Sequence, residues 1–247
     1  MNVIYVIASY KRADKQPTLD YLEGLGAKKD QIIISTQTES DFKEYSRKYG
    51  TRAKILYHPG GNKSENLNNV LPLIKNGKKI LIMDDDIKCV MRMNGKKELL
   101  EVRTPEEWEE FLTTGFDAAE GLRTIGFSVY PVCNAFFMSE TIAPASLGEG
   151  TLIGLIKVPG LSFDRNLPVK EDYDLSCRII KRYGAYPRLN MYTCNAPHYT
   201  KGGCDEWWED KRLNIRIAKT LAHRYPELVT VRKNNPEEIQ FKIKGNK

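Results

Sequence analysis

Apolar residues in this chain come in short runs separated by amphipathic stretches, and the alternation predicts strands joined by helices. Residues 3–8 (Val-Ile-Tyr-Val-Ile-Ala) and 32–36 (Ile-Ile-Ile-Ser-Thr) read as strands, and residues 54–57 (Lys-Ile-Leu-Tyr) as a short third. Between the second and third, residues 39–49 are polar and charged and read as a helix. Pro59-Gly-Gly61 makes a turn, and Asn62 with Glu65 three residues later reads as a capping box for a helix running to Lys75. Its apolar stripe is Leu67, Val70, Leu71 and Ile74, spaced for one face. Gly77 ends that helix, and the run Ile80-Leu-Ile-Met83 is the next strand. Thr104-Pro-Glu-Glu107 opens another helix, with Thr as cap and Pro at the first position, reaching Leu122. Residues 126–133 and 152–158 read as later strands, 170–183 and 206–225 as helices. Residues 229–232 and 239–243 pair as a terminal hairpin through Asn234-Asn-Pro236. Strands alternating with helices predict an α/β fold with a mostly parallel, doubly wound sheet. No linker, internal repeat or low-complexity tract breaks the chain, so one domain is expected over residues 1–247.

Composition narrows this picture a little. At 247 residues, 41% hydrophobic and 28% charged, the chain is long enough and apolar enough for a sizeable core. No apolar run approaches the roughly 20 residues that span a bilayer, so no membrane association is expected. The first strand begins at once, with no basic stretch before it and no cleavage signature after it, which argues against secretion. The five cysteines (Cys89, Cys133, Cys177, Cys194, Cys204) are odd in number, widely spaced and without a C-x-x-C pair. That pattern predicts reduced thiols in a cytoplasmic protein rather than a disulfide framework or a structural zinc site. The net charge of +6 is compatible with a polyanionic partner, and its placement is uneven. Acids gather around Asp84–Asp86 and residues 98–110; Lys and Arg gather in the last third and at Tyr10-Lys11-Arg12.

Candidate chemistry starts where the Ile80–Met83 run ends in Asp84-Asp85-Asp86. Strand ends stand at the rim of a sheet, where ligands of open α/β folds sit. Three adjacent carboxylates repel, and a hard cation such as Mg²⁺ or Mn²⁺ relieves the repulsion while keeping positions open for phosphate. The alternative is an acidic turn in water. Three further segments bear on the choice. Ser9-Tyr10-Lys11-Arg12 follows the first strand directly. Lys63-Ser-Glu-Asn-Leu-Asn68 opens a helix, placing Lys63 where backbone N–H groups also favour anions, with Asn68 able to reach a ribose or base. Lys170-Glu171-Asp172-Tyr-Asp-Leu175 opens a later helix and offers carboxylates for acid–base work, although acids are favoured in a first turn with no function at all.

The ordered set resembles family 2 glycosyltransferases. Lys63–Asp86 looks like their K-A-x-x-L-N … x-x-L-D-x-D pattern, and Glu171-Asp172-Tyr-Asp-Leu175 with Arg178 and Gly184 looks like their E-D-x-D-L-x-x-R … G pattern. The resemblance covers roughly residues 1–200 and implies a GT-A fold, Rossmann-like, whose first part (1–100) binds a nucleotide-sugar and whose remainder (101–247) binds the acceptor. It implies that Asp84 and Asp86 hold Mn²⁺ or Mg²⁺ with the donor diphosphate, that Asp85 contacts ribose or donor sugar, and that Asp172 is the base of an inverting displacement, with Glu171 on the acceptor side. Ser9, Tyr10, Lys11, Arg12, Lys63 and Asn68 fall to the donor, a UDP-sugar being the first candidate. Two departures stand out. The aspartate these enzymes carry after the second strand, which contacts the nucleobase, is replaced by Ser35-Thr36-Gln37, and the Q-x-x-R-W motif of processive synthases is absent. A single transfer to a soluble acceptor is therefore expected.

Further along, Pro197-His198-Tyr-Thr-Lys201-Gly202-Gly203 with Trp207-Trp208 behind it is similar to the TET-associated glycosyltransferases, phage and eukaryotic relatives inferred to glycosylate hydroxymethylated pyrimidines in DNA. This implies His198 as a third metal ligand, a phosphate loop at Lys201, Gly202 and Gly203, and Trp207 or Trp208 stacking on the acceptor or, equally, stapling the helix to the core. Arg212, Arg216, Lys219 and His223 follow at helical spacing and form one basic face, either a path for a phosphate backbone or an ordinary solvated surface. A DNA acceptor of the 5-hydroxymethylcytosine type is then the leading expectation, in the cytoplasm of a host if the protein is phage-encoded. The competing readings are a GT-A enzyme with another acceptor, a nucleotidyltransferase, and an inactive DNA- or carbohydrate-binding module.

Overall fold

The computed structural model describes residues 1–59, 61–196 and 209–242. Its centre is one large sheet of strands β1 (Val3–Ala8), β2 (Ile32–Thr36), β3 (Lys54–Tyr57), β4 (Lys79–Asp84), β5 (Cys89–Met93), β6 (Leu99–Glu101), β7 (Gly126–Tyr130), β8 (Ile142–Ala143), β9 (Leu152–Ile156) and β10 (Arg188–Asn195). In space the order is β3-β2-β1-β4-β9-β7-β10-β5-β6, with β8 on β10. The stretch β3-β2-β1-β4 is parallel throughout. β9 runs antiparallel to β4 and β7, and β10 is parallel to β7 and antiparallel to β5. The chain leaves β1 for β2 and β3 on one side, then crosses back to β4 on the other. The crevice between β1 and β4 is thus a topological switch point, where ligands of open α/β sheets bind.

Alternation along the strands explains how helices cover both faces. Val3, Tyr5 and Ile7 of β1, with Leu81 and Met83 of β4, face α1 (Pro17–Gly24), α2 (Glu39–Tyr49) and α4 (Pro105–Gly121). Val6, Ile80 and Ile82 face α3 (Lys63–Val70) and α5 (Glu171–Tyr183). A third cluster joins α6 (Lys211–Arg224) to the antiparallel hairpin β11 (Val229–Arg232) and β12 (Asn235–Phe241), through Ile217, Leu221, Val229 and Ile239.

Most predicted elements are present with shifted ends, and the shifts have local causes. Thr104 caps α4 through a complete capping box with Glu107, as the spacing predicts. The α-helix opened by Asn62 stops at Val70 and gives way to a 3₁₀ turn, because Pro72 has no N–H to bond the carbonyl of Asn68. Glu65 reaches back to the N–H of Gly61 rather than to that of Asn62. Helix α1 and the short strands β5, β6 and β8 carry too little periodicity to be read from sequence. Asp174 and Arg178 form the pair their i, i+4 spacing predicts, at 2.8 Å, but not as a surface pair: Asp174 is fully buried and takes donors from α6 as well.

One packing detail sets a stability prediction. The ring of Phe127 in β7 lies against the Cα of Gly115 in α4 and of Gly154 in β9, so a methyl group on either glycine would overlap it. Replacing Gly154 with alanine is expected to cost about 1–3 kcal/mol, the usual penalty for overpacking. In urea denaturation the midpoint should fall with the slope unchanged. An unshifted midpoint would show that the ring moves freely aside.

Candidate active site at the switch point

The register places three loops at one sheet edge: Ala8 pairs with Asp84 and with Ser35 at the carboxyl ends of their strands. The start of β9 joins them, because Asp84 donates its N–H to Thr151 O at 3.0 Å. The Asp84–Asp86 turn is clipped from below by α1. Thr18 Oγ1 donates to Asp84 O at 2.6 Å and accepts from Ile87 N at 2.9 Å.

The three aspartates occupy three different environments. Asp85 points inward, is 6% exposed, and accepts from Ser9 Oγ and from Arg12 Nη1 at 2.9 Å. Burial, opposed by Ser9 and Arg12, pushes its carboxyl up to about 6. Asp86 accepts from the same Arg12 Nη1 at 2.7 Å, and burial followed by the charge of Asp84 moves it upward. Asp84 is the most open of the three and accepts from Lys63 Nζ at 2.6 Å. Arg12 follows a bend in which Lys11 adopts a left-handed conformation, φ +54.

Lys63, the first residue of α3, links two parts of the site. Its ammonium also donates to Gly150 O at 3.1 Å and stands 3.9 Å from Glu171. Gly150 N in turn donates to Asp172 Oδ2 at 2.6 Å, and Tyr173 N to Asp172 Oδ1 at 2.8 Å. Burial raises both Glu171 and Asp172, and Lys63 opposes the rise in each. Residue 150 lies so close to Lys63 and Asp172 that a Cβ would stand 3.2 and 3.3 Å from them, which accounts for a glycine there. At the head of α5, Lys170 is buried with φ +61 and donates to Asn214 Oδ1 of α6 at 3.0 Å.

Several of the residues expected at the ligand have partners within the protein. Ser9 is enclosed, held by Asp85, by Gln16 at 3.1 Å and by Tyr45 at 2.6 Å. Asp85 likewise is bound within the protein, to Arg12. Asn68 uses both amide atoms on the backbone of Phe163, accepting at 2.7 Å and donating at 2.9 Å, which stitches α3 to the segment leading into α5. Of the Ser35-Thr36-Gln37 stretch, Ser35 and Thr36 are buried, Ser35 bound to Asn66 and Thr36 to Leu56 O at 3.0 Å, and Gln37 is partly exposed. Tyr10 and Lys11 stay at the surface of the loop, with the Lys11 ammonium 4.6 Å from the Tyr10 ring centroid. Arg212 and Arg216 lie on the exposed face of α6, opposite buried Ile217 and Leu221. His198, Lys201, Gly202, Gly203, Trp207 and Trp208 lie outside the described residues.

Sequence reasoning passed over Thr18, Gly150, Arg188 and Glu149. Glu149 lines a small cleft with Val129, Tyr130, Pro131, Thr151 and Cys194, where the end of β7 meets the approach to β9 and the end of β10. The Gly148-Glu149-Gly150 triplet just ahead of a strand was the available signal.

A divalent cation suits this donor set. Asp84 and Asp86 supply hard oxygens whose mutual repulsion a cation relieves, and Mg²⁺-type ions are held by one or two carboxylates with phosphate and water completing the shell. Among the described residues, no three His, Cys, Asp or Glu side chains converge on one ion position.

The fold is similar to two solved glycosyltransferase structures. One is the mannosyltransferase PcManGT from Pyrobaculum calidifontis in complex with GDP-Man and Mn²⁺, with TM-score 0.55 and 15% identity over 92% of this chain and 63% of that one. The other is S. aureus TarS 1–349 in complex with UDP, with TM-score 0.51 and 11% identity over 92% of this chain and 72% of that one. This chain therefore spans less than two thirds of the mannosyltransferase. No family model matches the sequence, and no curated protein does. At these identities the likeness establishes the fold alone, a GT-A-like α/β architecture. Among the described residues no helix is long and apolar enough to cross a membrane.

Proposed function

We propose that this protein is a metal-dependent glycosyltransferase that moves one sugar from a nucleotide-sugar donor to a hydroxyl acceptor. The observation that carries the reading is the cluster at the switch point: Asp84 and Asp86 at the end of β4, bracketed by Lys63 and Arg12. Two carboxylates and two cations within one crevice match a diphosphate with its metal ion. The Mn²⁺ and GDP-Man named for the mannosyltransferase lend support.

In this reading residues 1–100 bind the donor and residues 101–247 the acceptor. Asp84 and Asp86 hold Mn²⁺ or Mg²⁺, which neutralises charge on the departing diphosphate. Lys63 and Arg12 meet phosphate oxygens, and Tyr10 and Lys11 close over the nucleotide. The acceptor lies on the side of Glu171 and Asp172, where a carboxylate takes its hydroxyl proton. His198, Lys201, Gly202 and Gly203 belong to the metal and phosphate side, and Trp207 and Trp208 to the acceptor. The exposed Arg212 and Arg216 favour a polyanionic acceptor, and DNA with a hydroxymethylated pyrimidine is the form we test.

The protein is incubated with Mn²⁺ and a panel of UDP- and GDP-sugars, with and without DNA containing 5-hydroxymethylcytosine, and the products are weighed. Donor consumption that EDTA stops and Mn²⁺ restores is the expected result, and a hexose or pentose mass gain on the base assigns the acceptor. Donor hydrolysis with unchanged DNA retains the glycosyltransferase and rejects DNA. Release of pyrophosphate would mark a nucleotidyltransferase. No turnover together with no metal-dependent donor binding would leave a binding module.

A further inference from the structure

Three carboxyl groups stand on the acceptor side of the crevice, and they differ in what already holds them. Asp172 accepts two backbone N–H groups, one on each oxygen, from Gly150 and Tyr173. Both of its oxygens are therefore already engaged by the backbone, while burial raises its carboxyl as it does that of Glu171. Glu171 is 7% exposed and lies toward Lys63. Glu149 is half-buried in the wall of the cleft and has no hydrogen bond or ion pair with any described residue.

From this arrangement we infer that Glu149 is the catalytic base that takes the proton of the acceptor hydroxyl, and that Asp172 is a positioning residue. The inference rests on the glycosyltransferase reading and deepens it. Asp172 holds Gly150 by its N–H, while Lys63 holds the same residue by its carbonyl. Gly150 is thereby locked, and the preceding Glu149 is presented to the cleft. Thr151, which lines that cleft, accepts the N–H of Asp84 at 3.0 Å, so the cleft that holds Glu149 borders the aspartate turn. In the step itself the acceptor oxygen forms its bond to the anomeric carbon as its proton passes to the Glu149 carboxylate. The bond from that carbon to the phosphate oxygen breaks, and its electron pair leaves with the nucleoside diphosphate.

The groups facing Glu149 come from three elements. Asp172 of α5 and Glu238 of β12 raise its proton affinity, and Arg188 of β10 lowers it. Burial is the largest influence, and the net result is a carboxyl pushed up to about 7. A base of this kind is half-protonated near neutrality and gains its active form as pH rises. The rate should therefore climb through about pH 7 and level off above it.

The test uses the full-length chain with Mn²⁺ and the UDP- and GDP-hexose panel, following nucleoside diphosphate release with water or the responding acceptor between pH 5 and 9. Glu149→Gln is expected to lower kcat by about 10²- to 10⁴-fold, the usual contribution of a general base, and to lose the rising limb. Metal-dependent donor binding should persist in that variant, and formate should restore part of the rate of Glu149→Ala. A Glu149→Gln enzyme with the wild-type rate and pH profile overturns the inference and leaves the glycosyltransferase standing. Wild-type protein inert to every donor overturns both.

Discussion

Asp174→Ala is expected to be among the most destabilising single substitutions in this protein, at about 3 kcal/mol, the lower end for loss of one partner of a buried ion pair. The side chain is completely shielded from solvent and accepts three hydrogen bonds. Arg178 Nε, Arg224 Nη1 and Tyr225 Oη each lie at 2.8 Å. Arg224 and Tyr225 close the C-terminal end of α6, so this one carboxylate fastens α6 to α5. Alanine removes the anion and leaves the hydroxyl of Tyr225, itself only 4% exposed, without its acceptor. The two arginines are more than a third exposed and can turn to water, which keeps the loss from reaching the upper end of the range. For a chain of this length each kcal/mol shifts Tm by about 2–4 °C, so a fall of about 6–12 °C is expected. Asp174→Asn keeps an acceptor for one or two donors and should fall less. A Tm within 2 °C of wild type for the alanine variant would mean that α6 is held by its apolar face alone.

What the sequence made legible, and what it left out, follows from the range of the interactions involved. The strand at residues 80–83 and the acids after it were legible because a short apolar run and a charge cluster are local signals. The α/β class followed from the alternation of strands with helices, and the capping box at Thr104 was readable letter by letter. Asn68 was assigned to a ligand because its neighbours in sequence suit a ligand. In the fold it is bonded to the backbone of Phe163, 95 residues away. Asp85 was assigned to the ligand with its two neighbours, and only the inward turn of its side chain separates it from them. Glu149 was missed because its setting is made by Asp172, Glu238 and Arg188 from three distant elements. The burial of Asp174 is hidden in the sequence for a related reason. An i, i+4 pair can be seen in a sequence, whereas a helix packing over it cannot. Function-bearing and structural polar residues look alike until the fold shows which way each faces.

Exchanging Asp86 for asparagine is expected to reduce metal-dependent turnover by about 10²- to 10³-fold, which corresponds to about 3–4 kcal/mol of lost stabilisation of the departing diphosphate. Asparagine keeps the shape and a carbonyl oxygen for Arg12, so the loop after β1 stays docked and the fold is kept. It removes one of two anionic ligands from a site where the metal takes its remaining positions from phosphate and water. Binding can be read without any reaction. A ligand that binds only the folded state at 100 times its Kd adds about 2.7 kcal/mol of stability, so Mn²⁺ with UDP or GDP should raise the Tm of the wild type. Asp86→Asn and Asp84→Asn should lose that rise. Asp85→Asn should keep it, because that side chain is buried beneath the site and acts through Arg12. The contrast among three adjacent aspartates is the useful feature of the experiment, since a general effect of negative charge would weaken all three alike. Equal loss in the Asp85 variant would return Asp85 to the ligand set, and an undiminished rise in both outer variants would place the metal elsewhere.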